Sequence, residues 1–280
     1  MKHLIDTLIN LAFAEDLGEG DHTTLCSIPN NALGKANLII KESGILAGVD
    51  VAIAVFHKFD PELTIDVLIK DGAKVKPGDV VFTVEGKVQS ILQTERIMLN
   101  IMQRMSGIAT TTNKYVKLIE GTKAKVLDTR KTTPGMRMLE KQAVNIGGGV
   151  NHRIGLFDMI LLKDNHIDFA GGIERSIIGA QKYLKDNKKQ LKIEIEVRNI
   201  DELNEVLNTG GVDRIMLDNF TPDETKVAVG IVNGSVELES SGGITLDTIR
   251  SYSETGVDYI SVGALTHSVK GLDMSLIAIK

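Results

Sequence analysis

Between Leu127 and Ile167 the chain reads LDTRKTTPGMRMLEKQAVNIGGGVNHRIGLFDMILLKDNHI. Arg130, Lys131, Arg137, Lys141, Arg153 and Lys163 crowd into that run, with His152 and His166 among them. The whole chain carries a formal net charge of -5, so a pool of cations this dense is not a by-product of composition. A guanidinium fork matches two acceptor oxygens at once, which makes arginine a natural grip for carboxylate and phosphate. The run therefore points to a site for a small, highly anionic substrate. A solvated basic face is the bland alternative. Glycines and short apolar runs interleave the charges here, unlike a helix surface.

The bulk numbers bound what surrounds such a site. At 280 residues the chain is long enough for two domains or one large α/β unit. Apolar residues make up 42% and charged residues 25%, as in ordinary globular proteins. No apolar run approaches the length needed to span a bilayer. The opening MKHLIDTLINLAFAEDLG has acids where a signal peptide needs a longer apolar run, so a cytoplasmic location is the default expectation. Cys26 is the only cysteine, which excludes an internal disulfide and a cysteine-cluster metal site. The acidic balance argues against nucleic acid as the main partner.

The elements that must position the cations can be taken in order. Residues 4–14 place apolar side chains at helical spacing. EDLGEGDHTT (15–24) reads as a polar, glycine-punctuated loop, structural rather than metal-binding. Residues 35–41 and 45–49 read as strands and 50–59 as a short helix. Alternation over 63–87, around Lys76-Pro77-Gly78-Asp79, predicts a hairpin like that of lipoyl-carrier modules. It has no lysine flanked as lipoylation needs, so it is architecture. Residues 88–119 predict a long helix with an apolar stripe of Ile91, Leu92, Met98, Ile101, Met102 and Met105, broken at Gly107. Arg96 and Arg104 stand off that stripe and read as solvated helix arginines.

From about residue 122 the rhythm changes. Short runs recur, each closing on polar residues or glycine: KVLDTR (125–130), MILLKDN (159–165), KIEIEV (192–197), RIMLDN (214–219), VELESSGG (236–243) and YISVGA (259–264). Helical segments separate them, and Thr221-Pro222-Asp223-Glu224 and Asn199 with Glu202 look like helix starts. That βα rhythm predicts a parallel sheet or barrel, and the largely apolar runs fit strands buried on both faces. In such barrels chemistry sits at the carboxyl ends of the strands. Those ends carry Arg130 and Lys131, then Lys163 and Asp164, Glu196, Asp218, the Ser241-Gly242-Gly243 turn and Gly263. Glycine turns at the last two strands fit a phosphate cradle, with a following helix N-terminus adding its dipole. Glu196 and Asp218 suit a magnesium ion or sugar hydroxyls; pairing with Arg130 or Lys163 is the alternative.

These motifs closely resemble the quinolinate phosphoribosyltransferase family over almost the whole chain. EDLGEGDHTT, ERIMLNIMQRMSGIAT, DTRKTTPGMRMLEKQAV, GGGVNHRIGLFDMILLKDNHI, EIEV, IMLDNF, ESSGGI and SVGALTHS carry the resemblance in that order. It implies an N-terminal α/β sandwich domain over 1–106 and an open parallel, TIM-like α/β barrel over 107–265, with 266–280 returning to the first domain. It also implies joining quinolinate to phosphoribosyl pyrophosphate, with Mg2+, to give nicotinate mononucleotide, pyrophosphate and CO2 for NAD synthesis.

By resemblance, Arg130 and Arg153 grip the dicarboxylate with His152 and Lys163 close by, and Thr129 and Lys131 complete the DTRK set. Lys131, Lys163, Glu196 and Asp218 make up the catalytic group, with Glu196 and Asp218 near ribose and metal. Ser241, Gly242, Gly243, Val262, Gly263 and Ala264 form the 5′-phosphate loops. Arg96 resembles the arginine that enters from the neighbouring subunit of a homodimer, which replaces the solvated reading. Rival readings are a Schiff-base aldolase using Lys163, a paralogue of molybdate-transport type, and a non-catalytic ligand sensor on the same scaffold.

Overall fold

A computed structural model describes residues 2–279. In chain order, helices α1 (Lys2–Leu17) and α2 (His22–Ser27) precede strand β1 (Leu33–Ile40), the short β2 (Gly44–Ile45) and helix α3 (Val49–Phe59). Strands β3 (Thr64–Val67), β4 (Lys74–Val75) and β5 (Val80–Lys87) lead into the long α4 (Val88–Leu118). Next come β6 (Lys125–Leu127), α5 (Arg137–Ile146), β7 (Ile160–Leu162), α6 (Asp164–Ala170) and α7 (Ile173–Asp186). Then follow β8 (Ile193–Val197), α8 (Ile200–Thr209), β9 (Arg214–Asp218), α9 (Pro222–Val232) and β10 (Glu237–Ser241). The last elements are α10 (Ile249–Ser253), β11 (Tyr259–Ser261), α11 (Ala264–His267) and β12 (Met274–Ile279). By packing, residues up to Asn113, Thr132–Gly148 and the residues from Leu265 onward form one unit. Lys114–Lys131 and Gly149–Ala264 form the other.

The first unit is built on an antiparallel sheet in the order β12-β1-β5-β3. In β1, Ala36, Leu38 and Ile40 are buried while their neighbours are not, the period-two pattern of a strand with one face on a core. Phe82 of β5 meets Phe56 of α3 edge to face, with ring centroids 5.9 Å apart. The tight turn expected at Lys76–Asp79 is present: Asp79 N–H donates to the Lys76 carbonyl, and Lys76 N–H donates to the Asp79 carboxylate.

Several sequence expectations need correction here. The 15–24 stretch is not one loop: α1 runs to Leu17, and Asp21 caps α2 by accepting from Thr24 N–H. The strand expected at 45–49 shrinks to Gly44–Ile45. Leu92 lies on the exposed side of α4, whereas Ile91, Met98, Ile101, Met102 and Met105 are buried. Gly107 does not break α4. A Cβ there would sit 2.2 Å from the Lys270 carbonyl oxygen, so this glycine serves close approach of another strand of chain.

Arg104 is no solvated arginine. Its Nε donates to Glu140 Oε1 at 2.7 Å, and its Nη2 donates to Thr133 Oγ1 and the Thr266 carbonyl, both at 2.9 Å. Glu140 is fully buried. This ion pair fastens α5 and the stretch after Leu265 to α4 within the first unit.

The second unit is a six-stranded parallel sheet in the order β6-β11-β10-β9-β8-β7. All six strands lie where the apolar runs predict them. Strands β6 and β7 do not pair with each other; Val150 instead adds a parallel bridge outside Leu127, so the barrel stays open. The expected helix starts are present. Thr221 and Glu224 cap α9 reciprocally, and Asn199 accepts from Glu202 N–H at α8.

The interior is less apolar than the runs suggest. Alternation puts Ile193, Ile195 and Val197 on one face of β8 and Glu194 and Glu196 on the other, and all five are buried. Register then aligns Glu194 with Arg214 and Glu237, so the inner face carries charge.

Candidate active site

Because all six strands of the second unit run parallel, their carboxyl ends lie along one edge. The segment after β6 supplies Thr129, Arg130 and Lys131. Thr129 Oγ1 accepts the Lys131 N–H at 3.0 Å, a local turn of the backbone across Arg130. Arg130 is half-buried and Lys131 exposed. Arg130 lies close enough to Arg153 to act on its charge: burial first, then the like charge of Arg130, lowers the Arg153 pKa. Two guanidinium groups near enough to repel each other offer positive charge in excess at this edge.

Arg153 is held from several sides. Asp128 is fully buried, and its Oδ1 accepts the His152 N–H at 2.8 Å. His152 Nδ1 accepts the Arg153 N–H at 2.7 Å. Ile154 and Gly155 N–H groups donate to the Asp158 carboxylate at 2.7 and 2.9 Å, which closes the next turn. Arg153 Nη1 donates to the Met159 carbonyl at 3.2 Å.

Further along the edge, Lys163 Nζ donates to Glu196 Oε2 at 2.5 Å. His166 Nδ1 accepts the Lys163 N–H, so this histidine caps α6. Asp218 ends β9 beside β8, where Val197 pairs with Leu217. Asn219 Nδ2 donates to the Asp218 carboxylate at 2.8 Å. Asn219 N–H in turn donates to the Ser241 carbonyl. A Cβ on Gly242 would lie 2.2 Å from Asn219 Oδ1, and its φ is +102°. Only glycine fits between these strand ends without strain. Gly243 follows at φ +59°, with open space where a Cβ would stand.

The helix dipole expected behind both glycine turns is present behind one. Helix α11 begins at Ala264, directly after Gly263, whereas α10 begins only at Ile249, well past Gly243. Val262 N–H donates to the Leu127 carbonyl, which ties the end of β11 to β6.

Below this rim lies a buried charge cluster that sequence reasoning missed. His152 Nε2 is 3.1 Å from Glu194 Oε2 and 3.4 Å from Glu239 Oε2. Arg214 Nη1 is 3.9 Å from Glu194 and 3.2 Å from Glu239, and its guanidinium lies 4.0 Å over the Tyr259 ring. Two influences compete at the imidazole. Burial opposes its charge, while Glu194 and Glu239 pull its pKa upward. The Arg153 amide needs Nδ1 bare, since a protonated ring nitrogen cannot accept. That direct contact keeps the ring neutral with its one proton on Nε2, so the acids' upward pull is not realised while the contact holds. Burial, then Glu239, pushes the Glu194 pKa up to about 7. Burial also works against Glu239, yet His152, Ser261 and Arg214 hold its pKa below the usual range. The available signal was strand alternation: Glu194 shares a face with Glu196, as Glu239 does with Ser241.

The cations pooled in the sequence are divided by the structure. Arg130, Lys131, Arg153 and Lys163 belong to the second unit; Arg137 and Lys141 belong to the first. Arg137 Nε donates to Thr132 Oγ1, and Lys141 is buried. Arg96 lies exposed on α4 in the first unit.

Fold and site together define an open parallel barrel whose strand ends pair carboxylates with cations and finish in glycine turns, the equipment for handling a phosphorylated, carboxylated substrate. Family models narrow this. Residues 21–106 match the N-terminal domain of quinolinate phosphoribosyl transferase and residues 108–277 match its C-terminal domain. The chain is 45% identical to quinolinate phosphoribosyltransferase [decarboxylating] 1b of Nicotiana tabacum, over 96% of this chain and 81% of that one. It is 40% identical to the probable nicotinate-nucleotide pyrophosphorylase [carboxylating] of Bacillus subtilis, over 99% and 94%. The solved nicotinate-nucleotide pyrophosphorylase of Francisella tularensis superposes with a TM-score of 0.93 at 43% identity, covering 100% of this chain and 97% of that one. The chain belongs to the quinolinate phosphoribosyltransferase family.

Proposed function

We infer that the protein joins quinolinate to phosphoribosyl pyrophosphate and releases pyrophosphate and CO2, leaving nicotinate mononucleotide for NAD synthesis. Family membership supports the reaction, and two arginines of the same unit, near enough that the charge of Arg130 acts on Arg153, support the substrate assignment. A pyridine with two adjacent carboxylates needs two cationic grips, and we assign these to Arg130 and Arg153, with Lys163 near. Thr129 sets the backbone for Lys131, which we assign to the departing pyrophosphate. The turns at Ser241–Gly243 and Val262–Ala264 take the 5′-phosphate.

Glu196 and Asp218 at adjoining strand ends are a donor set that fits a magnesium ion, because carboxylates suit hard cations that keep other positions for phosphate oxygens and water. Such an ion, when bound, would supply positive charge against the pyrophosphate. The protein's residues hold the pyridine nitrogen in line with the ribose carbon as it becomes oxocarbenium-like. Once the C–N bond forms, the cationic ring nitrogen stabilises the electron pair left at the adjacent carbon. The carboxylate there departs as CO2 and the carbon takes up a proton. Orientation and preorganised charge account for the protein's share.

We further propose a homodimer in which Arg96 serves the neighbouring subunit's site; its exposure on α4 and the family resemblance support this. A cytoplasmic setting is part of the same proposal, although several plant relatives are named as chloroplastic or mitochondrial. Among the described residues no helix is long and apolar enough to cross a membrane. Neither the aldolase nor the molybdate-transport reading finds support among the relatives.

The test is Arg130→Ala. Losing one partner of a desolvated charge pair costs roughly 2–5 kcal/mol, so quinolinate binding should become undetectable by calorimetry while the circular dichroism spectrum stays unchanged. Unchanged affinity would refute the assignment. Release of CO2 from quinolinate only when phosphoribosyl pyrophosphate is present separates the enzyme from a ligand sensor.

A further inference from the structure

The buried cluster under the rim has the dimensions of a metal site: ligand atoms of His152, Glu194 and Glu239 all lie within 4.8 Å of one another. Arg214 already fills the role of the cation. Its Nη1 lies 3.2 Å from Glu239, its Nη2 lies 3.2 Å from Glu237, and Tyr259 covers its face. A divalent ion brought among these acids would meet that guanidinium at close range. The cluster is better described as a strut. It starts at Arg214 at the foot of β9, passes through two carboxylates, and ends on the His152 ring.

The strut leads directly to one substrate grip. The far side of the His152 ring, Nδ1, accepts the peptide N–H of Arg153. The same stretch is pinned to β6 through Val150, whose N–H donates to the Val126 carbonyl, and through Asp128, which accepts from His152 N–H. Backbone bonds therefore fix where residues 150–152 run, and the ring adds its own hold on the peptide that carries Arg153. Two acids stand 3.1 and 3.4 Å from Nε2, so buried charge closes off that side of the ring. A free imidazole flips between rotamers at little cost; one wedged between two buried carboxylates does not.

We propose that Glu194 and Glu239 are positioning residues that act through His152 to orient Arg153 for the dicarboxylate substrate. The proposal rests on the reading of Arg153 as a substrate grip. Neither acid touches substrate. Supporting partners of this kind typically change the performance of the group they orient by roughly 10–100-fold.

The experiment is a set of variants of the full-length protein, with Kd for quinolinate and for phosphoribosyl pyrophosphate measured separately. Glu239→Gln keeps the size of the side chain and removes its charge. Its quinolinate Kd should rise about tenfold or more while the phosphoribosyl pyrophosphate Kd stays within about twofold. In an Arg153→Lys background the same change should add less than about twofold, because its route of action is already gone. Equal losses in both backgrounds, or equal losses for both substrates, would overturn the inference. If Arg153→Lys alone leaves quinolinate affinity untouched, the grip reading itself fails, a different outcome from failure of the strut. Should Glu239→Gln not fold, His152→Asn takes its place. Its amide oxygen can replace Nδ1 for the Arg153 N–H yet cannot reach the acids, and the same selective loss is expected; undiminished quinolinate affinity would count against the strut.

Discussion

Lys163 Nζ lies 2.5 Å from Glu196 Oε2, bridging the carboxyl ends of β7 and β8. The lysine is 44% exposed and the glutamate 8%. With the lysine this open to water, solvent screens the attraction and the pair contributes about 1 kcal/mol to folding. On the reaction proposed above, each partner would turn towards a substrate group of opposite charge. Glu196→Gln should lower kcat by about 10–100-fold while moving the melting temperature by no more than about 4 °C. A variant that melts early but turns over normally would contradict this.

Gly107 offers a prediction whose sign decides between two readings. Glycine-to-alanine changes in a helix ordinarily stabilise by about 1 kcal/mol. Here the new methyl would meet the Lys270 carbonyl at 2.2 Å. Backbone cannot yield as a flexible side chain can, so Gly107→Ala should destabilise by about 1–3 kcal/mol. That corresponds to a fall in melting temperature of about 2–12 °C. A rise would show that the contact relaxes freely.

The Arg104–Glu140 pair is of another kind, since the Glu140 side chain has no exposure and Arg104 only 27%. Truncating one partner strands the other charge, so Glu140→Ala should cost roughly 3–5 kcal/mol by urea denaturation. Replacing both, as Arg104→Met with Glu140→Leu, should cost less than Glu140→Ala alone. Additive losses in the double variant would argue against that account.

Asp60 gives a pH prediction. Ser90 Oγ donates to its carboxylate at 2.7 Å, and that bond outweighs burial to hold the pKa below 3.8. A depressed acid stabilises the fold above its unfolded pKa, and that contribution is lost as pH falls through the folded value. Asp60→Asn should therefore lose less stability than the parent between pH 5 and pH 3, each figure being an approximate bound on the window. Parallel stability curves for the two proteins would refute it.

What the sequence revealed and what it hid follow from range. All six barrel strands were legible because each is a short apolar run closed by turn residues, a local signal. The rim residues followed, since a parallel sheet puts every strand end on one edge. Thr221 with Glu224 and the Lys76–Asp79 turn were legible for the same local reason. Arg104 was not, because its partner Glu140 lies on another element and no nearby residue announces it. Glu194, Glu239 and Arg214 stayed hidden behind strand runs read as apolar, and only the register of three strands brings them together. Gly107 was misread because a glycine that ends a helix and one that admits a neighbouring backbone look identical in a list of residues. The stretch Thr132–Gly148 packs with the first unit although it lies between strands of the second, an arrangement no local pattern encodes.

The outer strand of the first sheet has a bearing on synthesis. Strand β1 pairs with β12, Lys35 opposite Ile279. While the protein is being translated, the parallel sheet can assemble as soon as β11 emerges, but β1 must wait with one edge bare until residues 274–279 leave the ribosome. An unpaired edge is a template for wrong partners. Nascent chains halted with residue 264 outside the ribosome and residues 274–279 still inside should be the aggregation-prone ones, with that hazard confined to the antiparallel sheet.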